Sequence, residues 1–591
     1  MAVQFIFGGS GRGKTYFLQH KIMEEAVNNP KKDYIMIVPE QFTMQTQKDM
    51  IKISPGHGIM NIDVQSFVRL AFRVFSETGA GNLPVLDDLG KIMILKKVLG
   101  QKKDELKYFG RNINKDGYIS EIKSFMSELI QYGADEDEIE RMIKTSEKKP
   151  VLKYKLQDMS VAFKSFKEYI EKNYITSEEL LSVFADVVSQ SELLKGAVIC
   201  LDGFTGFTPL QYRLLRELIK TAEMVYVTVT ADDRESVINK GKNYQLFFMS
   251  RKTVHNIRQI ASETGVEVLD DIWTGKEISQ TRFGESEELE WLERNLFRYP
   301  YKRYNKKNEV SDISCHVLKY AEDEVDFVVQ KIKGLLVGGC RYRDIAIVAG
   351  SLETYGSIIE HSMKKAGIAC FVDQKRGVQS SVPVRAIDAL LQIIIKDFAY
   401  EDVMDYLKSC LSWTSDSQND ILDNYLLATG IRGFKSWNRE WNTAYAYRRM
   451  TDESKDFANG VVENVRLGVL ENLSELYEKT AKGKHTVREY AASLFEFFER
   501  QHFYEKLMEF ADEYEENENF DMASEYRQLY GMVIEVFEKL VSLMGDEEMS
   551  LKEFKDILDV GFSEARIGVI PPGIDQVMAG DMSRTRISNI K

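Results

Sequence analysis

At 591 residues and 44% hydrophobic content, the chain is too long for one hydrophobic core, and at ~100–200 residues per domain several are expected. Its opening, MAVQFIFGGSGRGKT, has no basic leader, and no run of ~18 apolar residues occurs, so neither signal peptide nor membrane span is supported and the cytoplasm is the expected location. A formal charge of −14 argues against coating nucleic acid through the global field, though not against a local basic or aromatic channel, and five scattered cysteines (Cys200, Cys315, Cys340, Cys370, Cys410) without a C-x-x-C pair read as buried thiols rather than metal ligands or disulfides.

Residues 2–7 (AVQFIF) read as a short buried strand running straight into a glycine loop, after which YFLQHKIMEEAV from Tyr16 shows helical spacing. YIMIVP at 34–39, GAVICLDGF at 196–204 and MVYVTVTA at 224–231 read as further buried strands. Strands separated by helical stretches predict a parallel sheet with helices on its faces. Between them, residues 86–190 are helix-like in LDDLGKIMILKKVL, GYISEIKSFMSELIQYG and KLQDMSVAFKSFKEYIEKNY, which predicts a helical insertion within a first α/β domain over 1–300. After the charge-rich YKRYNKKNEV near 300–310, a helix from Glu322 and the strand RDIAIVAG at 343–350 begin a second α/β unit over 301–591. That unit carries a second helical insertion near 384–560, followed by IPPGIDQVMAGDMSRTR.

GGSGRGKT, made of Gly8, Gly9, Ser10, Gly11, Arg12, Gly13, Lys14 and Thr15, fits the P-loop pattern G-x-x-x-x-G-K-[ST]. Backbone N–H groups and a helix N-terminus there cradle phosphates, Lys14 reaches the β/γ-phosphates of ATP, and Thr15 is placed for Mg²⁺. The plain alternatives are a glycine turn that happens to end in Lys-Thr, or a loop that folds but no longer holds nucleotide. Turnover needs more, namely a strand-end Asp for Mg²⁺ and a group that orients the attacking water. Asp202 in VICLDGF stands at such a strand end, as a Mg²⁺ contact or as a structural carboxylate. In helicases of the UvrD/Rep type a Glu follows that Asp, whereas here Gly203 does; near Ala349, Gly350 and Ser351 the arginine that those helicases aim at the γ-phosphate is missing too. Binding without productive turnover is the expectation.

Two stretches suit single-stranded DNA. VPEQFTMQTQ at 38–47 alternates Gln41, Thr43 and Gln45 with Phe42 and Met44, and DVQSFVRLAFRVF at 63–75 sets Phe67 and Phe72 beside Arg69 and Arg73. The same spacing also describes an ordinary core stripe of Phe67, Leu70, Ala71 and Val74, the competing reading for Phe67.

GGSGRGKT, VPEQFTMQ, SFVRLAFRV, LDDLGK, LDGFTGFTPLQ, DNYLLATGIRG with Trp437, and IPPGIDQVMAGDMSRTR together resemble, in order, the B subunit of AddAB-type helicase–nucleases, also called RexB. The resemblance runs over essentially the whole chain. It implies an α/β P-loop NTPase fold of UvrD-like build, with RecA-type parallel sheets and large helical insertions, that has lost motor activity. It further implies a heterodimer in which the other polypeptide, the A subunit, is the motor, and which processes double-stranded ends for double-strand break repair and recombination. The B subunit of that family scans the emerging single strand for the regulatory Chi sequence, and the matching positions here are Gln41, Thr43, Phe67 and Arg69, with Phe72 where a Trp would stack better. Family members continue into a 5′→3′ exonuclease domain holding a [4Fe–4S] cluster and nuclease Mg²⁺; this sequence stops at Lys591, so a fragment is expected, with the second unit cut before its last strands and no cysteine assigned to the cluster. Two rival functions are an active UvrD-like helicase, which would need a Glu at 203 and a finger arginine near 350, and a P-loop protein without a DNA role such as a small-molecule kinase.

Overall fold

The computed structural model describes residues 1–591 except 57, 59, 81–83, 111–116, 172, 239–240, 278–280, 285, 306–309, 410–411, 442–451, 569–574, 583–584, 586–589 and 591. Cys410 and parts of YKRYNKKNEV and IPPGIDQVMAGDMSRTR therefore lie outside the described residues. The first sheet is built from β1 (Ala2–Gly8), β2 (Tyr34–Ile37), β3 (Ile62–Gln65), β4 (Val198–Leu201), β5 (Met224–Thr230), β6 (Glu267–Val268) and β7 (Ile272–Trp273). Their order is β3-β2-β4-β5-β1-β6, with β7 pairing farther along β1, and every pairing is parallel.

Parallel strands must be covered on both faces, which is why β2 and β4 are apolar at every position and fully buried. Side chains alternate across the sheet. Phe5, Phe7, Ile35, Ile37, Ile199 and Leu201 pack to one face against the helices Phe67–Thr78, Ser177–Val187, Pro209–Thr221 and Phe248–Thr264. Ile6, Met36, Val38, Val198 and Cys200 pack to the other, against the helices Lys14–Asn28 and Thr43–Ile53. Helix Phe67–Thr78 shows how local sequence sets this up: the Ser66 side chain accepts from Arg69 N at 3.3 Å, Phe67, Leu70, Ala71, Val74 and Phe75 form one buried stripe, and Gly79 at φ 71° ends it in the left-handed region.

A second, smaller sheet is formed by β8 (Ala346–Ala349), β9 (Cys370–Val372) and β10 (Val577–Asp581), all parallel, with β10 in the middle. The strand that completes it thus comes from the far end of the sequence, and the helices Ala321–Val337 and Leu352–Lys365 pack on it. The two helical stretches read as separate insertions share one continuous core: Ile92, Met93 and Phe166 of the first join Leu390, Phe497, Phe537 and Leu558 of the second. Helix Leu551–Glu564 lies so close to helix Asp88–Gln101 that a Cβ at Gly561 would come within 2.6 Å of the Met93 side chain. No helix among the described residues is long and apolar enough to cross a membrane.

Candidate functional site

The glycine loop leaves β1 at Gly8 and enters helix Lys14–Asn28 at Lys14. Gly11 (φ 71°) and Gly13 (φ 77°) hold left-handed backbone that a side chain would strain, and this turns the loop back over the helix start. The helix begins without a side-chain cap and without an acidic residue in its first turn, leaving its N–H groups and the positive end of its dipole for an anion. Lys14 reaches back across the loop, its ammonium donating to Gly9 O at 2.8 Å. Burial is the main influence on it and pushes it down to about 8; the Arg282 charge adds to this, while Asp202 and Glu293 pull the other way.

Asp202 follows the last residue of β4, 1% exposed. Its Oδ1 accepts from the hydroxyls of Thr15 at 3.1 Å and of Thr228 on β5 at 2.7 Å, while Oδ2 is buried with no hydrogen-bond partner among the described residues. An orphaned buried carboxylate oxygen beside a threonine hydroxyl at a phosphate-sized loop fits the donor set for a hard divalent cation whose remaining ligands come from phosphate and water. No group of three or more His, Cys, Asp or Glu that could hold a metal occurs among the described residues. Thr228, placed by the strand order between loop and carboxylate, was not singled out from the sequence because it sits inside an apolar strand run.

Gly203, the residue after Asp202, has φ 79°, with Phe42 and Pro39 carbons 3.6 Å from where its Cβ would be. A glutamate there would be strained whatever the space, so the position directly after Asp202 is built as a left-handed turn. In the second sheet, β8 ends at Ala349 and is followed by Gly350 and Ser351, which precede helix Leu352–Lys365, so no cation directly follows that strand in the sequence.

A segment unremarked in the sequence closes over the loop. Arg12, 7% exposed, donates to Gly275 O at 2.8 Å and pairs with Glu293 at 3.3 Å and Glu290 at 3.4 Å, both from helix Glu287–Asn295. A cavity of about 230 Å³ remains beside Gly8, Gly9, Arg12, Trp273 and Lys276. On its rim, burial alone would raise the Asp232 carboxyl, but hydrogen bonds from Arg234 and Arg298 outweigh that and hold it well below the usual range.

The five residues matched to DNA reading separate into two groups. Gln41 is exposed on the turn Glu40–Phe42, Arg69 is exposed and ion-paired to Glu40 at 3.5 Å, and Phe72 is 46% exposed on the next turn of the same helix. Thr43, 4% exposed, points its hydroxyl to Glu40 O at 2.9 Å, and Phe67, 5% exposed, packs in the core with its ring 5.4 Å from Phe204. For Phe67 the placement is that of the competing core stripe. Phe204 lies in the loop after Asp202, so the layer under this surface is continuous with the carboxylate beneath the glycine loop. Of the thiols, Cys200 is buried and pushed well above its ordinary value by burial, and burial pushes Cys370 up to about 12; Cys340 is half-buried and Cys315, against expectation, exposed.

Residues 5–293 match the family model described as ADDB, N-terminal. Over its whole length the chain is similar to proteins named as the B subunit of an ATP-dependent helicase/deoxyribonuclease: 40% identical to that of Lachnoclostridium phytofermentans, covering 51% of it, and 32% identical to those of Acetivibrio thermocellus and Clostridium novyi, covering 51% and 50%. The chain spans about half the length of the curated relatives it matches.

Proposed function

Through residues 5–293 the chain belongs to the ADDB N-terminal family, and from that premise we propose that it is the ATP-binding, motor-inactive, UvrD-like part of a helicase–nuclease of the AddAB type, which follows single-stranded DNA and scans it for Chi. The observation that carries this is the pairing of Lys14 and Thr15 with an Asp202 whose second oxygen is unpartnered, next to a left-handed Gly203 where a base would be needed. ATP is held by the loop amides and the Lys14 ammonium, which offset the charge of the β/γ-phosphates. Thr15 and Asp202 hold Mg²⁺, which supplies neutralisation of phosphate charge when bound. With glycine rather than a carboxylate directly after Asp202 and no arginine in the residues directly after β8, the transition state for phosphoryl transfer gains little there beyond what the bound nucleotide already has.

The two sheets support a reading as two RecA-type units, 1–300 and 301–591, joined by the shared helical core. The complete protein adds the nuclease domain with its iron–sulfur cluster, pairs in the cytoplasm with a separate motor polypeptide, and acts on broken double-stranded DNA. Gln41, Arg69 and Phe72 face the strand; Thr43 and Phe67 shape that surface from beneath. Titration with a fluorescent ATP analogue in Mg²⁺ tests the core of this reading: saturable binding lost in Lys14→Ala is expected, and equal affinity in both proteins would end it.

A further inference from the structure

The segment following helix Glu287–Asn295 reads Leu-Phe-Arg-Tyr-Pro-Tyr-Lys-Arg-Tyr, and it does not behave as an ordinary connection. Phe297 is 81% exposed, Tyr299 98% and Tyr301 78%, so three aromatic rings within five residues stand in solvent. Phe297 also takes φ 58°, a conformation costly for a bulky side chain, without gaining burial in return. Folding alone gives no reason for this arrangement, since isolated exposed apolar residues are common but a contiguous exposed aromatic run marks a contact surface. The neighbouring side chains are basic: Lys302 and Arg303 are exposed with no ion-pair partner among the described residues, in a chain of net charge −14.

The segment is also anchored. Arg298 donates to Asp232 Oδ2 at 2.9 Å and Leu296 O at 3.1 Å, and lies 4.7 Å from the Phe247 ring centre. Tyr304 packs edge-on against Trp291 with ring centres 5.3 Å apart. Asp232 lies just beyond β5, where Ala231 N donates to Gly8 O at 3.1 Å, so the strip is fixed to the strand end beside the glycine loop.

We propose that Phe297, Tyr299 and Tyr301, with Lys302 and Arg303, form a stacking strip for single-stranded DNA, separate from the surface around Gln41, Arg69 and Phe72. Rings supply sequence-tolerant stacking to bases and the cations meet phosphates, the combination that single-stranded nucleic acid requires. The strip rests on the proposed handling of single-stranded DNA by this chain and adds to it a second contact, tied to the nucleotide site through Arg298 and Asp232.

The test is fluorescence anisotropy of a labelled oligothymidylate on the full 591-residue chain, with nucleotide binding measured on the same samples. The triple variant Phe297→Ala, Tyr299→Ala, Tyr301→Ala is expected to bind at least about tenfold more weakly, with unchanged melting temperature and nucleotide affinity, because its rings are outside the core. The double variant Lys302→Ala, Arg303→Ala is expected to lower the slope of log affinity against log salt by about 1.4, from ~0.7 per single-strand phosphate. Unchanged oligonucleotide affinity in the triple variant overturns the strip. If Arg69→Ala with Phe72→Ala weakens binding while the triple variant does not, the proposed function stands and the strip alone falls. A parent chain that holds nucleotide but no oligonucleotide removes both DNA surfaces. Loss of association with a partner protein at unchanged oligonucleotide affinity reassigns the strip to a protein interface and overturns it as well.

Discussion

At the glycine loop, residues far apart in sequence converge on one point: Lys14 and Thr15 meet Asp202 and Thr228 across three strands. On helix Phe67–Thr78, residues close in sequence diverge, with Phe67 turned into the core while Arg69 and Phe72 face out. The difference has a physical cause. Phosphate binding constrains backbone and side chains at fixed spacing, so a string such as GGSGRGKT specifies where each group goes. An amphipathic helix divides its residues by period alone, and a neighbouring Phe and Arg are sent opposite ways whatever their chemistry.

The largest effect expected at the convergent region is loss of nucleotide affinity in Lys14→Ala, read by titration, with little change in melting temperature because a desolvated ammonium is removed. At the divergent region, Phe67→Ala should cost ~3–5 kcal/mol in chemical denaturation, since it empties a core position against Phe204. A small stability loss joined to a large loss of DNA affinity would instead make Phe67 a reader. Next in size is a pH effect. Lys14 stands at about 8 in the fold against 10.5 ordinarily, so the cost of its buried charge is fully present below about 8 and relieved as pH rises toward 10.5. Its contribution to stability therefore rises over that window while nucleotide affinity falls as the ammonium is lost. Lys97, also at about 8, shifts stability in the same sense, so affinity is the cleaner readout. An affinity flat from pH 7 to 10 would contradict the role given to Lys14. The smallest effect is for Phe72→Ala, half-exposed, expected within ~0.5 kcal/mol in stability.

Much of the first sheet was legible because parallel strands buried on both faces read as unbroken apolar runs, as in YIMI and VICL. The edge strand Ile62–Gln65 was not, being four alternating residues directly before a helix. The core stripe of helix Phe67–Thr78 was visible in its spacing and competes, for Phe67, with the role its family match implied. Thr43 gave no such signal, since its inward turn depends on a local bond to Glu40 O. The burial of Arg12 under Glu290 and Glu293 involves contacts 278 and 281 residues away that no local pattern announces. The union of the two helical stretches into one core was hidden likewise, because periodicity shows that a helix has an apolar face and not what covers it.

The central claim is that this chain binds ATP without turning it over, and the direct measurement is steady-state ATP hydrolysis with and without single-stranded DNA on protein whose nucleotide binding has been verified. The account predicts saturable, Lys14-dependent binding with no DNA-stimulated hydrolysis above that of Asp202→Ala. Robust DNA-stimulated turnover, abolished by Asp202→Ala, would contradict it and make the left-handed turn at Gly203 compatible with catalysis.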